Sequence, residues 1–137
     1  MEAIINAARR GDNELLQRSG MSSVTSARDF KRMTPLMHAA SAGHVSTVEL
    51  LLHSARGAGC SVDEEDEERE TALHKCCSAG KVDVASLLLR HGANFDKPNH
   101  RGATPLHHAA VKGASQLVAL LLSAGANARA TAGVRVI

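Results

Sequence analysis

The chain has 137 residues, a formal net charge of +2 and very few aromatics, with Phe, Trp and Tyr together making up 1%. That length suits one domain, and Phe30 and Phe95 alone provide almost no platform on which nucleic-acid bases would stack. No run of about 18 apolar residues is present to span a bilayer, and Met1 leads into Glu2 rather than a basic n-region. The expectation is a soluble intracellular protein, cytoplasmic or nuclear.

In chain order, residues 1–33 hold AIINAARRGDNELLQRSG, where Ala7, Ala8 and Gly11 foreshadow a pattern that then recurs three times. Residues 34–70 open on TPLMHAASAGHVSTVELLL, 71–103 on TALHKCCSAGKVDVASLLL and 104–137 on TPLHHAAVKGASQLVALLL, which align without an internal gap. Thr34, Thr71 and Thr104 suit helix N-caps, because a hydroxyl accepts from an orphaned backbone N–H. Pro35 and Pro105 follow at the helical position that tolerates proline. Gly43, Gly80 and Gly113 end each first helix after about two turns, where a left-handed residue is wanted. The second helices carry Val48, Leu51 and Leu52, then Ala85, Leu88 and Leu89, then Val118, Leu121 and Leu122, an i, i+3, i+4 stripe that predicts one buried face. Gly59, Gly92 and Gly125 close them. Neither helix is long enough to be stable alone in water, so stacking on the neighbouring unit must supply most of the stability.

Thr71 and Thr104 are 33 residues apart, and each heads a T-x-L-H tetrapeptide. The chain thereby resembles the ankyrin-repeat family, whose period is about 33 residues and whose hallmark is T-P-L-H-x-A. The resemblance implies an all-α solenoid of stacked antiparallel helix pairs joined by β-hairpin-like loops, a single domain in which residues 1–33 serve as an N-terminal capping repeat. Arg9, Arg10, Asp12, Asn13 and Glu14 supply the polarity that an end facing water requires.

Several departures bear on function. The Thr34-to-Thr71 interval is 37 residues, and the excess falls in HSARGA, between Leu52 and Gly59, where it lengthens a helix end or adds a contact. The family's hairpin tip, D-x-x-G, survives approximately as NHRG at 99–102, whereas Arg32 and Arg69 stand where glycine belongs, so those two tips are expected to adopt other turns. Met37 replaces the motif histidine, present as His74 and His107; the family resemblance implies that this histidine bonds between repeats and that the first full repeat relies on apolar packing. His38 and His108, one position later, read either as accommodated helix histidines or as a pH-sensitive face. The tail ANARATAGVRVI carries no visible polar cap. Three readings stay open: a fragment of a longer chain, a divergent end that folds back, or an edge that meets another molecule, self-association included.

Charge is unevenly placed. Residues 63–70 read DEEDEERE, and the rest of the chain holds 15 basic against 7 acidic residues, so the molecule is expected to be electrically divided. The acidic run is either a solvated loop or a docking strip for a basic partner surface. Cys76 and Cys77 replace an Ala-Ala pair and read, with Cys60, as small hydrophobes; His74, Cys76 and Cys77 fan around a helix and do not converge on a metal. No nucleophile elbow, phosphate loop or H-E-x-x-H pair appears, so neither an enzyme nor a cofactor is expected. Nucleic acid is not the expected partner either, since the central acids would repel phosphate.

Protein recognition remains. The resemblance implies a concave surface of hairpin tips and first helices, whose variable positions are Phe30, Lys31, Met33, Ser41 and Ala42 in the first full repeat. The second contributes Glu67, Glu68, Glu70, Ser78 and Ala79, and the third His100, Arg101, Ala103, Val111 and Lys112. A generic adaptor is the leading reading. The alternative is a gankyrin-type assembly chaperone of the proteasome regulatory particle, to which TALHKCCSAGKVDVASLLL is faintly similar over about one repeat.

Overall fold

In the computed structural model the described residues are 2–58 and 62–126, and among them are nine helices and no strand. The helices are α1 (Glu2–Arg10), α2 (Asn13–Arg18), α3 (Met21–Ser26), α4 (Pro35–Ala42), α5 (Val45–Ala58), α6 (Ala72–Ala79), α7 (Val82–Arg90), α8 (Pro105–Lys112) and α9 (Ser115–Ala124). They stack as two layers: α1, α4, α6 and α8 pack in succession, and α2, α5, α7 and α9 form the second row. Each unit is thus an antiparallel pair buried against its neighbours, the arrangement of an all-α repeat solenoid.

Capping accounts for the sharp helix starts and ends. Thr34 Oγ1 accepts from Met37 N at 3.1 Å, and Thr71 forms a capping box with His74. Thr104 departs from this: its hydroxyl makes no cap bond and is buried without a partner among the described residues. Gly43, Gly80 and Gly113 all take left-handed φ, from 75° to 82°, so that their N–H groups reach back to the last carbonyls of α4, α6 and α8.

The stripe on the second helices is buried at Val48, Leu51, Leu52, Ala85, Leu88 and Leu121. Leu89 and Val118 are only half-buried and Leu122 is 44% exposed, which corrects the expected stripe; Val84, Leu87 and Leu117 take interior places instead. The excess residues of the first full repeat extend α5, which has 14 residues against 9 in α7 and 10 in α9. Gly59 and Cys60 lie outside the described residues, as does the tail from Asn127. A helix that periodicity did not reveal, α3, follows Gly20 and packs on α5, with Val24 fully buried.

Because α9 packs on α7 and α8 while α7 is held between α5 and α9, protection should be uneven. Hydrogen exchange is expected to show the amides of Leu117–Leu122 opening more readily than those of Leu87–Leu89. Equal protection would mean that the outer side of α9 is covered.

Candidate partner-binding surface

The loops between repeats share one geometry. Asp29, Asp66 and Asn99 each sit five residues before the threonine that opens the next first helix, and each Oδ1 accepts two backbone N–H groups. These come from Lys31 and Met33, from Glu68 and Glu70, and from Arg101 and Ala103, all at 2.9–3.0 Å. Backbone bonds close the same turn, with Asp29 N donating to Met33 O, Asp66 N to Glu70 O and Asn99 N to Ala103 O. The residue completing each turn is left-handed: Arg32 (φ 65°), Arg69 (φ 63°) and Gly102 (φ 82°). Arginine therefore keeps the glycine turn, contrary to the expected change of turn type. The local Asx bonds hold the loop in its glycine conformation at a cost of about 1 kcal/mol or more per arginine.

Neighbouring tips are joined to one another. Glu67 N donates to Lys31 O at 3.1 Å, and the backbone N of His100 donates to Glu68 O at 3.1 Å. Three tips consequently form one preordered row.

Behind the row runs a polar seam. The residue four past each threonine reaches an acid: His38 Nε2 lies 2.9 Å from Asp29 Oδ2, Lys75 Nζ 2.8 Å from Asp66 Oδ2, and His108 Nε2 2.6 Å from Glu70 Oε2. Glu70 also accepts from Lys75 Nζ and Asn99 Nδ2, both at 3.0 Å, so one carboxylate joins two repeats. Burial alone would push its carboxyl up, but the bonds from His108, Asn99 and Lys75 outweigh that and hold it well below the usual carboxylate range. Asp29 is likewise lowered: burial opposes this, but Met33 N, His38 and Lys31 N prevail. His74 is fully buried; its Nδ1 accepts from Thr71 N at 3.1 Å, so Nε2 donates to Ala103 O of the next repeat at 3.1 Å. Burial pushes its pKa down to about 4. The equivalent His107 has no partner for Nδ1 among the described residues, and Met37 is buried in the apolar core.

The candidate residues divide accordingly. Phe30, Lys31, Glu67, Glu68, His100 and Arg101 are exposed along the tips, with Phe30 88% accessible and Lys31 Nζ 5.8 Å from its ring centre. Ser78, Val111 and Lys112 are exposed at the ends of α6 and α8, while Met33, Ser41, Ala42 and Ala79 are half-buried. Glu70 and Ala103 are buried, which removes them from the accessible surface: the position before each threonine faces the interior, where Glu70 joins the seam and Ala103 O receives His74.

The acidic run is mostly neutralised within the fold. Glu64 pairs with Arg28, Glu65 with Lys97, and Asp66 and Glu70 with Lys75, while Asp63 accepts from Asn94 N. Only Glu67 and Glu68 of the run combine an exposed position with no ion pair among the described residues, so the expected electrical division shrinks to two carboxylates. Two exposed residues that sequence reasoning left out of the surface, Arg32 and Arg69, lie on the same row. Their signal was available, since each stands where the tip pattern calls for glycine.

Profiles of known families match this chain over residues 55–132, as ankyrin repeats in three copies, and over residues 31–67, as a single ankyrin repeat. The chain belongs to the ankyrin-repeat family. Ankyrin repeats in general mediate protein–protein interaction. The chain is 44% identical over 79 residues to the FYVE zinc finger domain protein UPA1 of Mycosarcoma maydis, an alignment covering 56% of this chain and 6% of that protein. It is 36% identical over 91 residues to Inversin of Mus musculus, covering 65% of this chain and 8% of that one. The aligned stretch thus spans less than a tenth of the length of either relative.

Among the described residues no helix is long and apolar enough to cross a membrane, and no group of three or more His, Cys, Asp or Glu is placed to hold a metal ion. Cys76 and Cys77 are buried free thiols. The hydrogen bond with Cys77, followed by burial, pushes the Cys76 thiol well above its ordinary value, which suits packing rather than reactivity.

Proposed function

We infer that this chain is a non-catalytic recognition module that binds a partner protein along the row of hairpin tips and the adjoining ends of the first helices. The observation that carries this reading is the tip-to-tip bonding of Glu67 to Lys31 and of His100 to Glu68, beside an 88% exposed Phe30. A row ordered before binding loses little entropy when a partner docks. The relatives carry similar repeats inside much longer chains, which suits an adaptor role for the present repeats too. Buried free thiols suit a reducing compartment, cytoplasm or nucleus. The assembly-chaperone alternative rests on the similarity of one repeat.

A photo-cross-linking residue placed at Phe30, Glu68 or Arg101 is expected to capture the cellular partner, and one at Glu49, exposed on α5, is expected not to. Capture through Glu49 alone would move the surface to the second-helix side. Once the partner is in hand, Phe30→Ala should weaken binding by about tenfold, the loss common for an aromatic contact, while shifting stability by less than about 0.5 kcal/mol. A basic partner surface would find its anchors in Glu67 and Glu68. Changing both to glutamine should then slow association more than it speeds dissociation, and an unchanged salt dependence would exclude such a partner.

A further inference from the structure

Arg32 and Arg69 occupy equivalent places on adjacent, hydrogen-bonded tips, both in a left-handed backbone conformation that glycine adopts freely. The third tip uses glycine there, and a Cβ built on Gly102 meets nothing within 4 Å. Open space at that position means packing asks for no side chain, and backbone energetics favour none. Both arginines are exposed, and neither makes an ion pair among the described residues. An exposed side chain kept at a strained position that the third tip fills with glycine points to a role outside the packing of the fold.

The surrounding charge gives the sign of the ligand. Lys31, Arg32, Arg69 and Arg101 are exposed on the row against the two carboxylates Glu67 and Glu68, because the other acids of 63–70 have partners within the fold. Guanidinium groups match carboxylates through paired hydrogen bonds, which a single ammonium does not reproduce. Resting on the recognition reading above, we propose that Arg32 and Arg69 form a carboxylate-binding pair for an acidic, glutamate- or aspartate-rich segment of the partner protein. Such a segment lies along the tips, passing Phe30 at one end and Arg101 at the other. A nucleic-acid strand fits less well, since the row offers a single exposed aromatic, Phe30, on which bases could stack.

Glycine at both positions tests the idea without threatening the fold. Relief of the left-handed backbone outweighs the added freedom of the unfolded chain, so Arg32→Gly with Arg69→Gly should raise Tm by a few degrees. The full chain should bind a fluorescently labelled oligoglutamate peptide, as read by anisotropy, and this double variant should lose at least about tenfold in affinity. Arg32→Asn with Arg69→Asn, which also accepts the left-handed conformation, should behave alike. Undiminished peptide binding in both double variants overturns the proposal, as does tighter binding of a single-stranded oligonucleotide of equal charge. If the native chain fails to bind the peptide while tip cross-links to a partner still form, the ligand chemistry is wrong and the recognition surface stands. Absence of tip cross-links removes both.

Discussion

Replacing Leu88 by alanine is expected to lower the unfolding free energy by about 3 kcal/mol, within the usual range for truncating a buried leucine. Leu88 is fully buried on α7, which packs against α5 on one side and α9 on the other, so a cavity there loosens two inter-repeat contacts at once. Short helices of this kind have little stability of their own and depend on that packing. Urea unfolding measures the effect. Leu122→Ala is the control: at 44% exposure it should cost less than about 1 kcal/mol. A loss under about 0.5 kcal/mol at Leu88 would place that side chain at the surface.

Acidification should destabilise the fold in two stages. His74 is held neutral in the folded chain because burial, its largest influence, lowers its pKa to about 4 from an unfolded value of 6.5. Between those values the unfolded chain binds a proton that the folded one refuses, so stability falls as pH drops from about 6.5 to about 4. The total is about 3 kcal/mol for a difference of this size. Glu70 acts lower on the scale. Its folded pKa is depressed, so its contribution is present above the ordinary carboxylate value of 4.5 and is lost as pH falls below it. His74→Met, which places at this site the residue that its counterpart Met37 already is, should shrink the upper stage to the part due to His107, which burial also lowers, and leave the lower stage unchanged. Chemical denaturation across pH 2 to 7 reads both, and an unchanged upper slope in the variant would assign it to another group.

Much of the architecture was legible because its signals are local. Thr34 and Thr71 cap the helix that begins one residue later, and Gly43, Gly80 and Gly113 end helices through bonds to the turn just before. Such effects span a few residues and leave a readable pattern. Thr104 carries the same pattern yet makes no cap bond, and Arg32 and Arg69 keep a turn that their side chains disfavour, since Asp29 and Asp66 hold the loop from the other side. α3 escaped notice because MSSVTS is too short and too polar to show an apolar stripe in the sequence; the helix packs on α5, with Val24 buried.

The exposure of the candidate surface was legible at the tips and misread where an acid is paired within the fold. Counting from the threonines placed Phe30, Lys31, Glu67, Glu68, His100 and Arg101 correctly on the exposed tips. The same counting put Glu70 beside them, and the acidic run looked like one exposed strip.

Repeat number, helix ends and the register of the tips were determined by the sequence itself, because each depends on backbone bonds and apolar spacing within a few turns of one chain segment. Which charges face water was decided by the tertiary structure. Glu70 meets His108 across 38 residues and Asn99 across 29, and Glu64 meets Arg28 across 36. An acid's exposure depends on whether a cation from the next repeat arrives beside it, and that proximity exists only once the repeats have stacked.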